Sequence, residues 1–283
     1  MRSIWHDMKA IFQQPNQGLM QIIVINIGLY IAFMLTKVAL ILAGKPDLFE
    51  GFLEQISLSS SFSEFSHKPW TFISYFFVHV DLMHVVFNML FLYWFGQILQ
   101  DFLGQTKTIQ LYFMGGLAGA VAYIITLNSI PFFIKQGPMF LMGASAGVYA
   151  IVTAAATTRP NYTVHLFLIG PVAIKYISAF YVVWSVLESV GSNGGGNIAH
   201  LGGALMGVLF ALYGKRAQAP TQRLEKVLTY VTVAAQKSVG IASTEVVEEE
   251  ELNQILDKIS KSGFDSLSKL EKKRLFQASQ KNE

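Results

Sequence analysis

Four polar side chains stand inside long apolar stretches of this sequence, and their types suit acyl transfer. Ser145 lies in Gly143-Ala144-Ser145-Ala146-Gly147-Val148-Tyr149. His200 lies in Ala199-His200-Leu201-Gly202-Gly203-Ala204-Leu205-Met206-Gly207. His84 and Asn88 are four residues apart, after His79, in VHVDLMHVVFN. A serine hydroxyl is a poor nucleophile until a base takes its proton, and histidine is the common base. The N–H groups at a helix start are unpaired and positively polarised, so Ser145 at such a start can offer its own N–H to a developing oxyanion. His84 and Asn88 share a helix face, and both donate hydrogen bonds, as an oxyanion requires. Gly143 and Gly147 flank the serine and would let a substrate backbone approach, while Tyr149, one turn on, can pack on the His200 ring and orient it. Each motif has a plainer reading. GASAG is also a small-residue packing surface, His200 can be a structural hydrogen-bonding residue, and His84 with Asn88 can hold helices together.

Six apolar segments carry these residues: Leu19 to Leu35, Met83 to Leu99, Thr108 to Leu127, Met142 to Thr158, Pro171 to Val190 and Ile198 to Tyr213. A helix needs about 20 residues to cross a hydrocarbon core of about 30 Å. With the N-terminus inside, the inner connections hold Arg2, Lys9, Lys107, Arg159, Lys215, Arg216, Arg223 and Lys226, and the outer ones only Lys45, Lys68 and Lys135. The excess of cations predicts both termini in the cytoplasm, and the expected location is the inner (plasma) membrane. The second, fourth and sixth segments then run inward from the outer face. Their first turns bring His84, Asn88, Ser145 and His200 to one depth, opening outward. The loops from Asn128 to Leu141 and from Ser189 to Asn197 are rich in Gly, Asn and Ser and suit irregular backbone lining a wet cavity. Ala199, Gly203 and Gly207 form a stripe on which the sixth helix can approach a neighbour closely.

Composition supports the membrane reading. Hydrophobic residues make up 52% of the 283 residues and charged residues 14%, against roughly 25% charged in soluble proteins. From Gly214 onward lie 22 of the 39 charges, which divides the chain into a surface segment at 1–17, a membrane domain at 18–213 and a charged cytoplasmic tail at 214–283. Residues Met1 to Gln17 show one apolar helical face ended by Pro15, fitting a helix lying on a membrane or packed on protein. In the tail, Glu251 to Ser262 reads as a helix stopped by Gly263, and Ser268 with Glu271 as a capping box opening another. The net charge of +3 is too small to suggest nucleic acid, and zero cysteines exclude disulfides and thiol chemistry. No histidine pair has metal-site spacing, so neither metal nor cofactor is expected.

Taken together, these residues resemble the rhomboid intramembrane serine proteases over roughly residues 18 to 213. The likeness rests on six spans, the His84/Asn88 pair, the serine motif with Tyr149 four residues later, and the AHxxGxxxG run at His200. It departs at Ala146, where glycine is common, and at Thr71, which follows Trp70 where arginine is common. The resemblance implies an all-α, six-helix membrane bundle with a small soluble helical tail. It implies a Ser145–His200 dyad, an oxyanion hole from the Ser145 N–H with His84 and Asn88, and substrate access past the fifth helix. The expected partners are membrane-protein substrates and the bilayer. The competing expectations are a catalytically silent relative that binds and escorts membrane helices, and a transporter.

Overall fold

The computed structural model describes residues 4–166, 169–214 and 249–279. The cations Arg2, Lys215, Arg216, Arg223 and Lys226, used above for orientation, lie outside the described residues. The chain separates into two compact units, Met1–Tyr213 and Gly214–Glu283.

In the first unit, α1 (Ile4–Gln13) precedes the long apolar α2 (Gly18–Leu42). A loop region follows with α3 (Pro46–Ile56), β1 (Leu58–Ser59), α4 (Phe62–His67) and α5 (Thr71–Ser74). Then come α6 (Leu82–Leu103), α7 (Gln105–Ser129), α8 (Pro131–Ile134), β2 (Phe140–Leu141) and α9 (Ser145–Thr158). The hairpin β3 (Thr163–Leu166) and β4 (Gly170–Ala173) leads into α10 (Ile174–Leu187), and α11 (Gly194–Gly214) closes the unit. Four of the described helices, α2, α6, α7 and α11, are long and apolar enough to cross a membrane. Large apolar side chains lie exposed along their outer faces, among them Ile31, Leu35, Val121, Ile125, Leu205 and Leu209. Such a surface is unfavourable in water and suits a hydrocarbon solvent.

The centre of the unit is made of backbone in close approach. A Cβ on Gly203 would collide with the Ala146 carbonyl, one on Gly207 with the Ala150 carbonyl, and one on Gly115 with the Ala150 side chain. Helix α9 is therefore held between α7 and α11 through glycine and alanine. Thr153 adds a bond between helices, its Oγ1 donating to the Ala204 carbonyl at 2.9 Å. In lipid the hydrophobic effect does not drive helices together, so close packing and such bonds must hold them.

Several boundaries differ from the sequence expectation, each for a local reason. Helix α9 starts at Ser145 rather than Met142 because Gly143 has φ +112, outside any right-handed helix. Pro171 is not helical but lies in β4, paired with His165 of β3, so the chain is mostly helical rather than all-α. A second strand pair joins β1 to β2, with Leu58 opposite Leu141. Helix α11 begins at Gly194, four residues before Ile198, so His200 sits in its second turn. Three consecutive glycines disfavour a helix intrinsically. Here they let its first turn lie against Tyr123, whose ring would meet a Cβ on Gly195 at 2.7 Å.

The second unit contains α12 (Glu249–Ser262) and α13 (Lys269–Ser279), joined at Gly263, which has φ +80. Ile255, Ile259, Leu267 and Leu275 form its small core. Ser268 and Glu271 exchange both bonds of a capping box: the Ser268 N–H donates to Glu271 Oε2 at 2.6 Å, and the Glu271 N–H to Ser268 Oγ at 3.2 Å. Lys258 pairs with the same carboxylate at 2.7 Å. These donors hold the Glu271 carboxyl down at about 2, the Lys258 hydrogen bond being the largest influence.

Candidate functional site

Ser145 is the first residue of α9. The first bond of that helix runs from the Val148 N–H to the Ala144 carbonyl at 3.1 Å, so the N–H groups of Ser145, Ala146 and Gly147 lie ahead of the ladder. His200 approaches from α11, and its Nε2 is 2.8 Å from Ser145 Oγ. The close approach of the two helices makes this distance available, because Gly203, three residues after His200, rests on the Ala146 carbonyl beside Ser145. Both side chains are half-buried. The Tyr149 ring stacks on the His200 ring with centroids 4.3 Å apart and planes 12° apart.

The other sequence candidates surround the loop that precedes α9. Gly143 fits beneath His84: a Cβ there would meet His84 Cε1 at 2.7 Å and Nε2 at 2.8 Å. Gly147 faces the opposite way, and its Cβ would meet the Tyr112 carbonyl at 2.7 Å. The expectation that these glycines leave room for a substrate backbone is therefore corrected, since their space is taken by protein. His84 is placed by the start of α6, where its N–H donates to the Asp81 side chain at 2.8 Å. Asn88, one turn on, is buried.

Asn88 has a partner that the pattern reading left without a role. Its Nδ2 lies 3.1 Å from His79 Nε2, and the Ala144 N–H donates to the same nitrogen at 3.3 Å. Both neighbours are donors, so Nε2 of His79 accepts and its proton is on Nδ1. His79 thus ties the start of α6 to the residue before Ser145. The same loop is held by the Gly143 N–H on the Tyr75 carbonyl at 2.8 Å and by Met139 N–H on Ser60 Oγ at 3.0 Å. One N–H of the Asn88 amide is committed to His79.

A second overlooked residue is Ser185 on α10. It is fully buried, its Oγ donates to the Tyr149 hydroxyl at 2.9 Å and lies 3.4 Å from His200 Nδ1. The signal in the sequence was a small polar residue in the apolar and aromatic run from Ala179 to Leu187, the kind of intramembrane group that asks for a partner. Beside the pair lies a cavity of about 70 Å³ lined by Phe87, Asn88, Phe91, Val148, Tyr149 and Tyr181 among others. Trp70, by contrast, is half-exposed and donates from Nε1 to the Gln55 carbonyl at 2.7 Å.

Residues 66–217 match the model of the Rhomboid domain, and residues 243–281 match a family of unknown function, DUF6576. The chain is 30% identical over 156 residues to RHOMBOID-like protein 12, mitochondrial, of Arabidopsis thaliana, covering 51% of this chain and 46% of that one. It is 25% identical over 159 residues to Rhomboid protease GlpG of Haemophilus influenzae, covering 53% and 72%. It is 29% identical over 168 residues to Inactive rhomboid-related protein 2 of Caenorhabditis elegans, covering 55% and 44%. The chain thus spans less than half the length of the first and third of these relatives. The matched domain contains His84, Asn88, Ser145 and His200 within its bounds. With several apolar helices and a domain match over more than half of its length, this chain is a membrane protein of the rhomboid family.

Proposed function

We propose that this chain is an intramembrane serine endopeptidase that hydrolyses peptide bonds in or next to the transmembrane helices of other membrane proteins. The observation that carries the reading is the 2.8 Å approach of His200 Nε2 to Ser145 Oγ at the first turn of α9. In this reading His200 takes the hydroxyl proton as Ser145 attacks the carbonyl carbon. The carbonyl electrons move onto oxygen, where the Ser145 N–H, the Asn88 amide and His84 stabilise the charge. Collapse expels the amine with the proton from His200, leaving an ester on Ser145. Water, deprotonated by His200, then releases the acid. The neighbouring cavity suits a small apolar substrate side chain. Because helical carbonyls are bonded and shielded, the substrate must unwind at the cut.

The relatives include one named a protease and one named inactive, so the family alone does not decide activity. The paired serine and histidine favour hydrolysis over a silent helix-binding role. The arrangement we favour has six crossings, α9 and α10 being the two short ones, and a charged tail on the cytoplasmic side with the site opening outward. The Lys and Arg bias supports that orientation. Among the relatives are ones named mitochondrial and chloroplastic, so the expectation of a plasma membrane rests on this sequence alone.

The test is cleavage of a generic single-span substrate by detergent-purified protein, with fluorophosphonate labelling in parallel. Wild type should cut and label, whereas Ser145→Ala and His200→Ala should fold without cutting. Full cleavage by Ser145→Ala would overturn the reading.

A further inference from the structure

We infer that Ser185 is a positioning residue that sets the tautomer of His200. The inference rests on the reading of His200 as the base. To take the proton of Ser145, Nε2 must carry a free lone pair, which in a neutral imidazole puts the proton on Nδ1. Nδ1 faces Ser185 Oγ at 3.4 Å. A hydroxyl has one proton, and we assign that of Ser185 to its shorter contact, the Tyr149 hydroxyl at 2.9 Å, rather than to Nδ1. Its lone pairs are therefore left toward Nδ1, where they can accept N–H but offer nothing to a bare nitrogen. The opposite tautomer would set two lone pairs against each other and would also present N–H to Ser145. Tyr149 acts twice in this arrangement, holding the ring by stacking and holding the Ser185 proton away from it. Ser185 is fully buried while its neighbours Val183, Trp184, Val186 and Leu187 are exposed. The second half of α10 thus touches the bundle through this side chain and through Tyr181, whose ring packs on Phe91 and Tyr149, and the setting of the base depends on α10 staying in place.

The contact is long, so the expected effect is that of one ordinary hydrogen bond, about fivefold in turnover. The experiment uses full-length protein labelled with ¹⁵N-histidine in detergent micelles, with the His200 signals identified by their loss in His200→Ala. Wild type should show a protonated Nδ1 and a bare Nε2. Ser185→Ala, which removes only the hydroxyl, should raise the population protonated on Nε2 several-fold and lower kcat with KM unchanged. Tyr149→Phe keeps the stack but frees the Ser185 hydroxyl to turn, and should shift the tautomers in the same direction. Ser185→Thr keeps the hydroxyl and should restore the wild-type ratio. Unchanged tautomer populations in Ser185→Ala and Tyr149→Phe, or unchanged kcat in Ser185→Ala, would overturn the inference. The tautomer ratio is read without substrate, so failure of the protease reading, seen as cleavage by Ser145→Ala, remains a separate result.

Discussion

On one side of the Ser145–His200 pair, α9 and α11 meet through backbone: Gly203 rests on the Ala146 carbonyl and Gly207 on that of Ala150. On the other side, α10 buries only Ile174, Ile177, Ser178 and Ser185 and turns most of its large side chains outward. The difference shows how a site can be held in a medium where apolar burial does not draw helices together. Ser145 and His200 are set by steric contact that has no room to relax. Ser185, next to His200, arrives on a helix that buries few side chains.

The largest expected effect tests the rigid side. Gly203→Val would drive a side chain into the Ala146 carbonyl, which belongs to backbone and cannot swing aside. We expect loss of the folded protein, at or above about 3 kcal/mol, read as failure to purify as a monodisperse species or a large fall in Tm. A wild-type Tm would refute the steric account.

Next is the loop that joins the two sides. Asn88→Ala removes both a proposed oxyanion donor and the bond to His79. Turnover should fall by about 10²-fold or somewhat less, with KM little changed. Unchanged turnover would leave Asn88 as a packing residue.

Smaller again is Ser60→Ala, which removes the acceptor for the Met139 N–H and loosens the β1–β2 tie to the loop before Ser145. Its cost should be about 1 kcal/mol, measured by thermal or denaturant unfolding. No change would mean that the strand pair does not hold the loop.

On the loose side, Leu187→Ala should alter stability by no more than about 0.5 kcal/mol, since Leu187 is exposed and lipid can take its place. A loss as large as that for Ser60→Ala would erase the contrast between the two sides.

The tail is expected to respond least. The depressed Glu271 carboxyl contributes stability at neutral pH, and that contribution is lost as pH falls through about 2. Glu271→Gln should speed amide hydrogen exchange at Ser268 near neutrality, and the difference from wild type should vanish at the acid end. The carboxyl is exposed, so the effect is small. Equal exchange at neutral pH would remove the capping role.

From the order of residues alone it was legible that this is a membrane protein carrying histidine, serine and asparagine inside its apolar runs. Long apolar runs admit few solutions in lipid, and polar residues inside them are conspicuous. The small-residue stripe at Ala199, Gly203 and Gly207 was legible for the same reason, since its spacing is a property of one helix. Tertiary structure decided which neighbour fills that stripe, and that Gly143 and Gly147 are occupied by His84 and Tyr112 rather than open to a substrate. It also decided the start of α11, where packing on Tyr123 overrides the poor helix propensity of three glycines. His79 and Ser185 gained their partners only in three dimensions: His79 lies 65 residues before Ala144, and Ser185 lies 36 residues beyond Tyr149. Spacing along one helix is written in the order of residues, whereas a hydrogen bond between helices depends on how closely their backbones are allowed to approach.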